Sequence, residues 1–124
     1  MNNKKLGTRF EQRVCNLLND DGWWVHFIEP KQNGAQPFDI IAVRYGRAIA
    51  IDCKTCAKNT FSIDRLEDNQ VFAFEKWMAC GNREPYIFVE HEAEIYVIPY
   101  KYIKRHVSVN LEDVQWAKWG TLPV

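Results

Sequence analysis

Two carboxylates and an ammonium are brought together by one stretch, Phe38 to Thr55, which reads FDIIAVRYGRAIAIDCKT. Two runs of β-favouring residues, Ile40 to Val43 and Ala48 to Ile51, flank Tyr45-Gly46, and glycine takes the positive φ that a two-residue hairpin turn demands. If Arg44 faces Arg47, the pairing carries Asp39 directly across from Asp52. The period of two in a strand then puts Asp52 and Lys54 on one face with Ala48 and Ala50, and Ile49, Ile51 and Cys53 on the other. Opposed strand residues have Cβ atoms about 5 Å apart, where two like charges repel by roughly 3 kcal/mol at an effective dielectric near 20. Lys54 offsets part of that cost. A divalent cation held by carboxylate and carbonyl oxygens, the usual mode of Mg²⁺ binding, offsets more. An isolated D-x-K is commonly no more than an exposed ion pair worth little; the second aspartate across the turn sets this one apart.

The elements around the hairpin are expected to deliver further polar groups to it. Residues from about Lys5 to Asp20 read as a helix with Leu6, Phe10, Val14, Leu17 and Leu18 on one stripe and Gly22 at its end. Glu11 falls at the margin of that stripe. Trp23 to Ile28 reads as a strand closed by Glu29-Pro30, and Lys31 to Pro37 as a polar loop carrying one cation and three amides. Ala57 to Leu66 has no clear period. A second helix from about Glu67 to Cys80 carries Val71, Phe74 and Met78 on its buried stripe. Gln70 lies near its N-terminus, where an amide meets a phosphate or a carboxylate with help from unpaired N–H groups. Pro85 to Glu90 and Glu94 to Pro99 read as strands joined by His91-Glu92-Ala93, and Tyr100 to His106 as a short basic, aromatic helix. The order predicts an α/β sandwich in which a mixed sheet carries helices against its faces.

The 124 residues fit one domain, with a core over about 4–106 and a C-terminal extension over 107–124 whose Trp116 and Trp119 suit a sheet edge or another subunit. Apolar residues at 47% exclude a disordered chain, and no apolar run approaches a membrane span or a signal core, so a cytoplasmic protein is expected. Sixteen basic and sixteen acidic residues give no overall field for nucleic acid, although a local patch can sit within a neutral total. Cys15, Cys53, Cys56 and Cys80 are too scattered for a disulfide framework. Cys53-Lys54-Thr55-Cys56 matches C-x-x-C, but it lacks the second ligand pair of a zinc site; a thiol-redox domain, the other reading of the motif, needs a reactive low-pKa cysteine, whereas Cys53 is expected to point into the core.

Four motifs in order, GTRFE (Gly7 to Glu11), FDIIAV (Phe38 to Val43), IDCKT (Ile51 to Thr55) and FSIDRLEDNQ (Phe61 to Gln70), give the chain its wider likeness. Together they resemble the PD-(D/E)XK nuclease superfamily, and within it the Holliday-junction resolvases of the archaeal and RecU types. The resemblance implies a restriction-endonuclease-like αβββαβ core. It also implies Mg²⁺, replaceable by Mn²⁺, on Asp39, Asp52, Glu11 and the Cys53 carbonyl, with Lys54 activating water and Gln70 completing the catalytic set. DNA contact is assigned to Lys5, Arg9, Lys31, Gln32 and Asn33. A homodimer cutting branched DNA symmetrically is the implied assembly. The alternatives are a repair or restriction-like nuclease acting on flaps or duplexes, and a non-catalytic nucleic-acid-binding module of the same fold.

Overall fold

The structure, a computed structural model, describes residues 3–30 and 36–113, the side chains of 3–8 excepted. Helix α1 (Asn3–Asp20) buries Phe10, Val14 and Leu18, one stripe at four-residue spacing. Gly22 ends it at φ 90°, with the Trp23 N–H returning to the Leu18 carbonyl and the Gly22 N–H to Asn19, a Schellman arrangement.

The chain then builds β1 (Trp24–Phe27), β2 (Ile40–Arg44), β3 (Arg47–Thr55), β4 (Thr60–Ser62), α2 (Asp68–Ala79), β5 (Tyr86–His91), β6 (Glu94–Pro99), α3 (Tyr100–His106) and β7 (Ser108–Asn110). Five strands form a mixed sheet in the order β1-β2-β3-β5-β6, in which β3 and β5 alone run parallel. The β2–β3 register pairs Arg44 with Arg47, as the residue pattern predicts. Its turn carries positive φ at both Tyr45 (52°) and Gly46 (72°), the requirement of the turn that matches strand twist. The β5–β6 turn is tighter than expected: His91 pairs with Glu94 as a strand residue, and Glu92 and Ala93 alone make the turn, both at positive φ.

Helices lie on both faces of the sheet. α1 packs on β1 and β3, where Cys15 and Asn19 meet Val25 and Phe27. On the opposite face Phe74 of α2 meets Phe38 and Tyr100, the last from α3. Ile40, Ala42, Ile49 and Ile51 are buried toward α1, and Ala50 and Asp52 toward α2. The irregular stretch before α2 holds a small second sheet, β4 against β7, that seats Phe61, Val109 and Leu111 in the core. Among the described residues no helix is long and apolar enough to cross a membrane.

Candidate active site

β3 carries Asp52 into the interior. Its carboxylate is fully buried, 3.4 Å from the Lys54 Nζ on the same strand face, as the period of two requires. A lone buried ion pair does not recover the cost of leaving water, and the third member is Gln70. The Gln70 Nε2 donates to Asp52 Oδ1 at 2.8 Å. Its Oε1 accepts from Lys54 Nζ at 3.1 Å and from the Glu67 N–H at 3.0 Å. Glu67 in turn accepts from the Gln70 N–H, so the two form a capping box at the start of α2. One glutamine thus fixes a helix terminus, a lysine and an aspartate.

Gln70→Leu removes all three of these side-chain bonds without emptying the volume. It is expected to lower stability by about 1–2 kcal/mol, the cost of a lost cap and an unpaired buried group, and to misplace Lys54. Denaturant unfolding checks the first effect. Nuclease assay checks the second.

Asp39 departs from the expected geometry. The ladder ends at Ile40 and Ile51, so Asp39 does not pair directly with Asp52. Instead the Asp39 N–H donates to the Ile51 carbonyl at 3.0 Å, its carbonyl accepts from the Ile28 N–H at 2.8 Å, and its Oδ2 accepts from the Cys53 N–H at 2.7 Å. The carboxylate occupies the donor that a further backbone pair would have used, and the strands part there. Asp39 still reaches Asp52 electrostatically. Burial first, then the Asp39 charge, hold the Asp52 carboxyl well above the usual carboxylate range, with Lys54 opposing them. An N–H and a C=O of one extended residue point to the same side of its strand, so the Cys53 carbonyl also faces the gap beyond the end of β2.

Glu11 completes the group from α1. Its carboxyl is pushed up to about 7 by burial and then by Asp39, with Lys54 again opposing. An acid that binds its proton more tightly when folded costs stability as it ionises. The metal-free protein is therefore expected to lose stability as pH rises from about 4.5 to about 7. Glu11→Gln should flatten that slope of melting temperature against pH, measured in chelator; an unchanged slope would remove Glu11 from the cluster.

Glu11 Oε2 is buried with no hydrogen-bond partner, and Asp52 Oδ2 has only the Lys54 ammonium at 3.4 Å. Buried carboxylate oxygens so sparsely satisfied suit a cation. Among the described residues no three acids, histidines or cysteines converge into a ready-made cage. Carboxylate oxygens are the donors that hard cations prefer.

Arg9 is exposed on α1, the side chain of Lys5 is not among the described ones, and Lys31, Gln32, Asn33, Trp116 and Trp119 lie outside the described residues. The C-x-x-C reading finds no support: burial, then Asp39, Asp52 and Glu11, push the Cys53 thiol well up, the opposite of a reactive thiolate. Two supporting residues escape sequence reading. Asn69 Nδ2 donates to the Gln36 carbonyl at 2.9 Å, tying the approach to Asp39 onto α2. Arg65 donates to the carbonyl of Thr55, next to Lys54, at 2.9 Å.

Known proteins share this fold. The chain is 26% identical over 94 residues to the crossover junction endodeoxyribonuclease Hjc of Methanocaldococcus jannaschii; the match covers 76% of this chain and 65% of that protein's length. A Holliday junction resolvase structure, Hjc of Archaeoglobus fulgidus, superimposes with a TM-score of 0.65 at 18% identity, over 89% of this chain and 90% of the other. A bacterial homing endonuclease gives 0.56 at 16% identity, over 88% and 75%. Both share the mixed sheet flanked by helices. Residues 2–115 match the archaeal Holliday junction resolvase (Hjc) family, and the chain belongs to that family.

Proposed function

We propose that this chain is a metal-dependent, structure-selective DNA endonuclease that resolves four-way junctions by paired phosphodiester hydrolysis. The observation that carries this reading is the buried Asp52–Lys54 pair with Asp39 acting electrostatically on both Asp52 and Glu11, and a Glu11 carboxylate oxygen buried without a hydrogen-bond partner. Family membership supports the choice of substrate.

Glu11, Asp39, Asp52 and the Cys53 carbonyl would hold Mg²⁺, or Mn²⁺ in its place. When bound, such an ion polarises the scissile phosphate and lowers the pKa of a coordinated water. The remaining work belongs to the chain. Lys54, fixed between Asp52 and Gln70, offers a positioned positive charge to the water and to the phosphate as negative charge builds on it. Asp39 spends one oxygen on the Cys53 N–H, which sets its orientation. Lys5, Arg9, Lys31, Gln32 and Asn33 are assigned to the DNA backbone, where they position rather than specify.

One domain of this kind makes one nick. Symmetric resolution requires two sites related by a two-fold axis, hence a homodimer acting on DNA in the cytoplasm, with each copy a single catalytic domain. The test compares an end-labelled four-way junction with a linear duplex, a flap and a single strand of matching sequence. Paired symmetric nicks confined to the junction are expected. Equal cutting of the flap or duplex would make the chain a repair or restriction-like nuclease.

A further inference from the structure

The neutral total charge leaves several cations without an acidic partner. Arg13, Arg44 and Lys104 are paired with Glu90, Asp21 and Glu75, and Lys54 with Asp52. Among the described residues Lys58 and Arg65 are two of eight cations that enter no ion pair, with Arg9, Arg47, Lys76, Arg83, Lys101 and Arg105, and these two line one cleft of about 300 Å³ just beyond the end of β3, the strand that carries Asp52 and Lys54. Thr60 and Ser62 add hydroxyls, and Asp64 is the one acid in the lining.

Arg65 is held rather than free. Its Nη2 donates to the Thr55 carbonyl at 2.9 Å and its Nη1 to Cys56 Sγ at 3.3 Å, and its guanidinium lies 5.7 Å from the centre of the Phe61 ring. A guanidinium has five N–H donors in a planar fork, so others stay available, and a pinned fork loses little freedom on meeting an anion. Lys58 follows Lys54 by four residues, a reach of no more than about 14 Å of chain.

We propose that the Lys58–Arg65 cleft, with the Thr60 and Ser62 hydroxyls, binds a backbone phosphate of the cleaved strand near the scissile one. The inference rests on the nuclease reading and adds a register device to it. A phosphate seated there fixes how far the strand advances past Lys54, and so which bond meets the acids.

Binding of a four-way junction in chelator, between 50 and 200 mM salt, tests the assignment. Lys58→Ala, an exposed position, is expected to weaken binding several-fold and to lower the slope of log K against log salt by about 1, the loss of one phosphate contact. Replacing single phosphates by methylphosphonates should reveal one position near the cut at which wild type and Lys58→Ala bind equally. Arg65→Ala should lose sensitivity to that same position, which a purely structural arginine would not do. Wild-type slope and affinity in both variants would overturn the proposal while leaving the nuclease intact. Displacement of DNA by inorganic phosphate at constant ionic strength, in wild type but not in Lys58→Ala, would make this a free-anion site and overturn the backbone assignment. A wild-type protein that binds no junction at any salt would overturn the nuclease reading, and this one with it.

Discussion

Asp52→Asn is expected to lower junction cleavage by about a thousandfold or more, the several kcal/mol that a metal ligand supplies, and yet to raise the melting temperature of the metal-free protein at neutral pH. The two effects have one origin. Burial and the neighbouring Asp39 both oppose the ionised form of Asp52, and Lys54 compensates only in part. A group whose folded-state value is raised weakens the fold above its unfolded value, so a neutral isostere relieves the strain. Asparagine also keeps an oxygen for the 2.8 Å bond from Gln70 Nε2. Thermal melting in chelator reads the stability, and a drop in melting temperature would mean that Asp52 is a net structural asset. Asp52 would then have no need of a cation at this place.

Lys54→Ala should be as inactive but with the opposite sign in stability. Its ammonium is the only cation within ion-pair distance of Asp52 among the described residues, and it also occupies one of the bonds to Gln70 Oε1. Removing one member of a buried pair leaves the other uncompensated, a loss of up to about 3–5 kcal/mol when the survivor stays charged. Protonation of Asp52 limits the loss, so the deficit should shrink as pH falls. The double variant Asp52→Asn with Lys54→Ala should recover much of it. Unfolding in chelator at two pH values checks both statements, and an additive double variant would show that the two side chains do not interact.

Most of this site is legible from strand periodicity and one turn. Gly46 fixes the hairpin, the hairpin fixes the register, and the register places Asp52 and Lys54 on one face. The precise relation of Asp39 to Asp52 is not legible, because it depends on a side chain competing with the backbone: the Asp39 carboxylate takes the Cys53 N–H and ends the ladder. Gln70 is suggested by its position near a helix start, but its burial follows from tertiary packing, since α2 must cross the sheet beside Asp52 for the amide to meet the carboxylate. Glu11 lies at the edge of an apolar stripe, where pattern alone cannot separate a solvated acid from one turned toward Asp39 and Lys54. The β4–β7 sheet is invisible in advance because three-residue strands show no period and pair across most of the C-terminal half of the chain.

On the proposed function, the acids beside Lys54 form a metal-dependent site of phosphodiester hydrolysis. The most direct test is cleavage of an end-labelled four-way junction by wild type and Asp52→Asn, with Mg²⁺ or with chelator. Wild type with Mg²⁺ should give paired nicks and the other three lanes intact junctions, although the variant still binds them. Cleavage by Asp52→Asn at a wild-type rate, or by wild type in chelator, would contradict it.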